Sequence, residues 1–273
     1  MSCSLPDGSA RPGRIFYRVR VALLLLVLFG VLLYAARDVR RRRARNDWDH
    51  TLEVAVIVAR RGPVAEGAIA SLRAQLPALA DRLYEESRRH GIGPIRPFHF
   101  TLVGPVDVAA PPPVRGEGTL ALLTYLRERA RYVDGIDAGA PLVASAYDAR
   151  IYLVASPPRS AKRAFIEGES EQGGRVGLVT VELAEQMTGL ALIVIAHELF
   201  HTLGATDKYD AEGRTAVPTG LVSPEQRPLF PQGYVDVMAR LRPISATESA
   251  LPEGVEELGV GPATAAEIGW RRR

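Results

Sequence analysis

Cysteine is almost absent from this chain of 273 residues, since the only one is Cys3. A single thiol excludes an internal disulfide, so the cysteine content fits a reducing or an oxidising compartment equally well. The sequence also lacks an internal repeat, and it lacks the pattern of basic and aromatic residues that is typical of nucleic-acid binding. We therefore expect no nucleic-acid partner.

The net charge is also small, at +3, and the excess of basic over acidic side chains lies near the N-terminus. Residues 1–46 hold ten of the 34 basic side chains but only two of the 31 acidic ones. The remainder, with 24 basic and 29 acidic side chains, has a net charge near −5. The basic cluster is compatible with anionic lipid headgroups or with a simple stop-transfer flank.

One long apolar run, residues 21–36, is present in this N-terminal part. A membrane span needs about 17–25 residues, and flanking arginines can extend a short run by reaching the interface with their charged ends. A cleaved signal peptide is the alternative, but arginines follow the run directly where a mature start would be expected. We predict a tail at 1–20, a single transmembrane helix at 21–36, a basic linker at 37–50 and a globular domain at 51–273.

The membrane orientation stays open. Six arginines follow the run and four precede it, which favours a cytoplasmic domain by the positive-inside bias.

The globular part has an alternating α/β pattern. Apolar runs of strand length predict four strands, and apolar residues at helical spacing predict helices between them. The predicted strands are 52–60, 97–106, 150–156 and 175–183, and the predicted helices are 66–90, 119–132, 185–203 and a short closing helix at 261–270. We expect loops through Gly168 and Gly173 and over residues 210–235.

The most informative stretch is LALIVIAHELFHTLGATDKY, residues 190–209. His197 and His201 are four apart, so they share one helix face and can bind one metal ion, with Glu198 beside them. The apolar run before the motif predicts a buried helix, and a buried helix rarely carries such polar groups without a partner. Gly204 suits a helix C-terminus with positive φ, after which the chain can turn and bring Asp207 towards the metal as a third ligand.

The string H-E-x-x-H-x-x-G-x-x-D resembles the metzincin zinc peptidases, which have H-E-x-x-H-x-x-G-x-x-H followed by a Met-turn. Asp207 stands where most of that clan has histidine, as in the snapalysin-like minority, and Met238 matches the Met-turn. The resemblance implies a Zn²⁺ cofactor, a peptide or protein substrate and a twisted, mixed four-stranded sheet with an active-site helix. It also implies that the strand before this helix, including 176–181, lies at the sheet edge and lines the substrate groove, unless that edge is covered. Metzincins mostly act outside the cytoplasm, so the resemblance favours an extracytoplasmic domain.

These residues predict a mechanism in which metal-activated water attacks an amide and Glu198 is the general base. Tyr234 and Tyr209 are candidate donors to the oxyanion, although each also fits a buried structural tyrosine. Two rival functions stay open: a zinc hydrolase of a non-peptide amide such as a cell-wall crosslink, and a non-catalytic membrane module with structural zinc. The other histidines, His50, His90 and His99, lack a partner at ligand spacing and are expected to be structural.

Overall fold

The computed structural model describes residues 12–158, 166–170 and 172–271. Two compact units, residues 1–44 and 45–273, make up the chain. The predicted linker 37–50 is divided between them, and Cys3 lies outside the described residues.

The described residues of the first unit form one long helix. Helix α1 covers Pro12–Arg45, and its segment Phe16–Arg37 is apolar enough and, at 22 residues, long enough to cross a membrane. At 1.5 Å per residue this segment is about 33 Å long, against about 30 Å for the hydrocarbon core of a bilayer. None of the segment is buried within the protein. It contains the predicted span 21–36, and its properties fit either a membrane span or a signal sequence.

A five-stranded sheet forms the centre of the second unit. Its spatial order is β2-β1-β3-β5-β4, with four parallel strands and β4 antiparallel to β5. The strands are β1 (Leu52–Arg60), β2 (Phe98–Asp107), β3 (Ala149–Ser156), β4 (Ile166–Ser170) and β5 (Val176–Glu182).

Helices cover both faces of this sheet. They are α2 (Glu66–Arg89), α3 (Thr119–Gly139), α4 (Thr188–Thr202) and the short α5 (Pro262–Glu267). Because successive strand residues point to opposite faces, Val54 and Val56 of β1 pack in the core with α2 and α4, whereas Ala55 and Ile57 pack on the other side with α3. The result is a three-layer α/β arrangement in which α4 lies beside β4 and β5.

The predicted mixed α/β fold with an active-site helix is confirmed, and all four predicted strands are present. Two expectations are wrong. The stretch through Gly168 is not a loop but part of β4, and the segment 176–181 is not at the sheet edge because β4 pairs with β5 and covers it.

The chain after α4 is largely irregular, as predicted for 210–235, and it packs on the same face as α4. Two pairs of short strands connect parts of this region: β6 (Val235–Asp236) pairs with β9 (Leu258–Gly259), and β7 (Arg242–Pro243) pairs with β8 (Ser249–Ala250). Helix α5 then forms within the predicted closing segment 261–270.

Candidate metal centre

Helix α4 brings two imidazoles together. Its apolar run is buried, including Leu192, Ile195 and Ala196, and this burial fixes which face of the helix carries the histidines. His197 and His201 lie one turn apart, with their Nε2 atoms 3.1 Å from each other and their rings nearly perpendicular at 89°. Both rings are largely buried, with 12% and 15% of their side-chain surface exposed.

Backbone carbonyls orient both imidazoles. The Nδ1 atom of His197 lies 2.9 Å from the carbonyl oxygen of Val237, and that of His201 lies 3.0 Å from the carbonyl oxygen of Ala205. Because a carbonyl oxygen can only accept, each Nδ1 carries the proton and donates it. Each Nε2 therefore presents a lone pair to the common centre, which is the tautomer that a metal ligand needs.

A carboxylate completes the cluster. Helix α4 ends at Thr202, and Gly204 follows with φ of 101°, a conformation that favours glycine and reverses the chain. The turn brings Oδ1 of Asp207 to 3.2 Å from Nε2 of His197 and 3.2 Å from Nε2 of His201. Three electron-rich atoms thus form a nearly equilateral triangle.

This triangle fits a tetrahedral metal site. Bonds of about 2.0–2.1 Å to zinc place neighbouring ligands about 3.3–3.4 Å apart, close to the three observed separations. Three acceptor atoms at such distances repel one another unless a cation lies among them. A shared proton would bridge only two of the atoms, whereas a single metal ion would satisfy all three.

The charges in the cluster influence one another strongly. Burial alone would raise the pKa of Asp207, but the close contact of its carboxylate with the imidazoles of His197 and His201 outweighs burial and holds that pKa well below its usual range. Burial lowers the pKa of His201, yet the carboxylates of Asp207 and Glu198 reverse this effect and the pKa lies above its ordinary value. The site therefore favours an ionised Asp207, which is the form that a metal ligand must have.

Glu198 lies beside the two histidines and points towards β4. Possible ligand atoms of His197, Glu198 and His201 all lie within 4.8 Å of one another. The Glu198 side chain is only 2% exposed, and its Oε2 has no hydrogen-bond partner among the described residues. Burial raises the pKa of Glu198, against the opposing influence of His197 and Ser170. A carboxyl whose pKa is raised in this way is a better proton acceptor than an exposed one, which suits it to proton transfer.

A glycine of β4 makes room for this carboxyl. A Cβ atom at Gly168 would lie 2.0 Å from Oε1 of Glu198, and one at Gly177 of β5 would lie 3.2 Å from its Cβ. The edge strand thus packs directly on the Glu198 side chain. Sequence reasoning missed this role because it placed Gly168 in a loop.

The turn at Val237 and Met238 contacts the first histidine. Met238 is fully buried, its amide donates to Oδ1 of Asp236 at 2.8 Å, and its carbonyl accepts from the amide of Lys208 at 2.8 Å. The adjacent Val237 carbonyl is the acceptor for His197. The backbone of this turn therefore contacts His197, while the Met238 side chain packs in the core.

The two candidate tyrosines have different surroundings. The Tyr209 ring stacks near the His197 ring at 6.2 Å and 25°, and the guanidinium of Arg240 lies 5.3 Å from its centroid. Burial and the nearby Asp207 raise the pKa of Tyr209 to about 12. The Tyr234 ring instead lies 4.4 Å from the guanidinium of Arg82 on α2.

The segment after residue 44 contacts the end of α4, which sequence reasoning also missed. Arg45 donates to the carbonyl oxygens of Gly174 at 2.7 Å and Gly173 at 2.9 Å, and the amide of Gly173 donates to the carbonyl of His201. Asn46 donates to the carbonyl of Leu203 at 2.9 Å. These residues were expected to be linker, and their only sequence signal was a charge run.

The other histidines make ordinary contacts. His50 lies 2.5 Å from Asp49, His99 lies 2.7 Å from Glu53, and Nε2 of His90 lies 2.7 Å from the carbonyl of Val260.

Comparison with known proteins adds little. No family model matches the chain, and no curated protein matches it. Among solved structures, the chain is similar to archaemetzincin from Methanopyrus kandleri at 16% identity, covering 65% of this chain and 82% of that one, with a TM-score of 0.30. A likeness at that score carries no argument about fold or function.

Proposed function

We propose that this protein is a membrane-anchored, zinc-dependent endopeptidase of the metzincin type. The observation that supports it best is the triangle of Nε2, Nε2 and Oδ1 atoms with sides of 3.1, 3.2 and 3.2 Å, with the carboxyl of Glu198 beside it. In this proposal His197, His201 and Asp207 hold the zinc, and a fourth position is left for water.

When bound, zinc supplies Lewis acidity that activates water and polarises the scissile carbonyl. Glu198 accepts the proton that the attacking water loses and delivers it to the amine nitrogen as the peptide bond breaks. Its burial assists both steps, because a raised pKa brings its proton affinity closer to that of a base working near neutral pH. Tyr209, whose pKa of about 12 keeps it protonated, can donate a hydrogen bond at the same centre.

The edge strand β4 is the proposed docking site for the substrate backbone. Among the described residues β4 pairs only with β5, and an extended peptide that paired with its other edge would add to the sheet as a further strand. Gly168 of that strand packs on Glu198, so a peptide paired with β4 would lie next to the proposed base. This assignment replaces the earlier expectation for residues 176–181.

Membrane anchoring through Phe16–Arg37 is supported by the length and apolar character of that segment. It predicts that the full chain sediments with membranes and resists extraction by carbonate, whereas a cleaved signal sequence would release a soluble form.

The decisive experiment uses the full chain purified in detergent. Zinc content is measured after dialysis, and hydrolysis of an unfolded protein substrate is measured with and without a chelator. Glu198→Gln should keep about one zinc per chain and lower kcat by about 10²–10⁴-fold, the usual contribution of a general base. The control is Glu128→Gln, the same change at an exposed position on α3.

Full hydrolysis by Glu198→Gln would refute Glu198 as the base. A wild type that binds zinc but cleaves no peptide would overturn the peptidase assignment. A panel of non-peptide amides would then test the hydrolase alternative.

A further inference from the structure

We infer that the C-terminal helix α5 positions two of the metal ligands through two carboxylates. Glu267 positions Asp207, and Asp236 positions His197. Both carboxylates connect α5 to ligand-bearing backbone, and neither touches the metal cluster itself. The inference rests on the proposed metal centre and concerns what fixes its geometry.

Glu267 binds both residues that flank Asp207. Its Oε2 accepts from the amide of Thr206 at 2.8 Å, and its Oε1 accepts from the Thr206 hydroxyl at 2.9 Å. The ammonium of Lys208 lies 2.8 and 2.9 Å from the two carboxylate oxygens. The peptide segment that carries Asp207 is therefore held on both sides by one side chain about 60 residues further along the chain.

Lys208 makes this connection strong. Only 5% of its side chain is exposed, so its charge is nearly desolvated, and it also donates to the carbonyl of Thr206 at 2.8 Å. A buried ammonium that loses its carboxylate is costly, because the remaining charge is uncompensated. Removing the charge of Glu267 should therefore displace Lys208 and move the neighbouring Asp207.

Asp236 connects the same helix to the first histidine. This fully buried carboxylate accepts from the Met238 amide at 2.8 Å and, from the start of α5, from the Gly261 amide at 2.5 Å and the Thr264 hydroxyl at 2.9 Å. The turn that it holds contains the Val237 carbonyl, which fixes the His197 imidazole. The two connections meet where the Lys208 amide donates to the Met238 carbonyl.

The geometry explains why such support is needed. Two ligands are fixed relative to each other by one helix turn, but the third comes from irregular chain after Gly204. Metal sites require their donors within a few tenths of an ångström of ideal separations, and the groups that orient ligands typically contribute about 10–100-fold to metal affinity. Since α5 fixes the segment that carries Asp207 and the turn that orients His197, zinc affinity should depend on Glu267.

The test measures zinc affinity in the absence of substrate. Full-length wild type and variants are purified in detergent, stripped of metal and titrated with zinc against a chromophoric chelator. Glu267→Gln should weaken zinc binding by about 10–100-fold. The matched control is Glu257→Gln, because Glu257 pairs with Arg242 at 2.9 Å and is 23% exposed, against 26% for Glu267. In the part of the chain that the structure describes, the side-chain partner of Glu257 is Arg242 and not a residue of the ligand segment. Glu257→Gln should bind zinc like the wild type.

A milder variant guards against misfolding. Thr206→Val removes a hydroxyl that donates to Glu267 at 2.9 Å and accepts from Lys208 at 2.7 Å, but it leaves the Lys208–Glu267 pair. It should weaken zinc binding by about 2- to 10-fold for each of these two hydrogen bonds. Cobalt substitution gives a second readout, since a displaced Asp207 should change the visible absorption of the bound ion.

The outcomes separate the two proposals. Wild-type affinity in both Glu267→Gln and Thr206→Val, or an equal loss in Glu257→Gln, would overturn the role of α5 and leave the peptidase proposal standing. Zinc-binding results as expected, with no peptide hydrolysis by the wild type, would support the role of α5 and refute the peptidase. A wild type that binds no zinc would overturn both.

Discussion

Gly168 offers a sharp test of how β4 and Glu198 cooperate. A Cβ built at this position would lie 2.0 Å from Oε1 of Glu198, 2.6 Å from its Cδ and 2.9 Å from its Cγ. Ordinary contact begins near 3.4 Å, so the carboxyl must move by about 1.4 Å to admit a methyl group. The backbone at Gly168 does not have a positive φ, so alanine itself introduces no backbone strain. Gly168→Ala is thus a displacement of the proposed base by one methyl group.

Misplacing a catalytic group by about 1 Å can lower the rate by about 100-fold, so we expect kcat of Gly168→Ala to fall by about that factor. Zinc content should stay unchanged, because Glu198 is not one of the three proposed ligands. The measurements are kcat, KM and zinc stoichiometry, with Gly135→Ala as the control because a Cβ there meets no atom within 4 Å. Wild-type kcat in a folded, zinc-loaded Gly168→Ala protein would refute either the packing of β4 on Glu198 or the role of Glu198.

Two further predictions concern the ligands and the base. Asp207→Ala removes one of the three proposed ligands. Loss of an orienting residue typically weakens metal binding by about 10–100-fold, and the zinc affinity of this variant in the chelator titration should fall by more than that. An unchanged affinity would show that Asp207 is not a ligand. In the metal-free protein, burial raises the pKa of Glu198 above its ordinary 4.5, so its ionised form destabilises the fold as pH rises through that range. Metal-free Glu198→Gln should therefore have a higher Tm than the metal-free wild type at pH 7, measured by circular dichroism. The difference in Tm should vanish below about pH 4.5, where the carboxyl is protonated in the folded and the unfolded chain. A difference that grows on acidification would contradict the burial argument.

Much of the fold could be predicted because burial leaves a pattern in the sequence. Strand β1 has the predicted bounds, 52–60, since both of its faces are covered and its residues are almost continuously apolar. Strand β4 was missed for the opposite reason. Its sequence, IEGES, contains one apolar residue and a glycine, so it has neither the length nor the β-branched composition of a buried strand. Its place at the sheet edge comes from pairing with β5, and pairing leaves no local signal.

The site divides in the same way. His197, Glu198 and His201 could be predicted because their spacing alone places them together on a helix, and Asp207 follows after one turn. The roles of Asp236 and Glu267 could not be predicted, because the contacts that connect them to other segments are remote in sequence: Thr264 lies 28 residues from Asp236, and Thr206 lies 61 residues from Glu267. A single carboxylate in a segment without periodicity looks the same whether it faces solvent or holds a buried turn.

The hydrogen bonds that orient the two histidines differ in how much of the fold must be in place before they can form. The acceptor for His201 is Ala205, four residues on, so α4 and its C-terminal turn can align this ring by themselves. The acceptor for His197 is Val237, 40 residues on, and that ring is aligned only once the turn at Met238 has docked. The helix alone therefore supplies one oriented imidazole, and the second depends on tertiary structure that Asp236 links to α5. Metal affinity in this protein should for that reason report the closure of its C-terminal region, because a chain with an intact helix but an undocked turn would lack the arrangement that binds the ion.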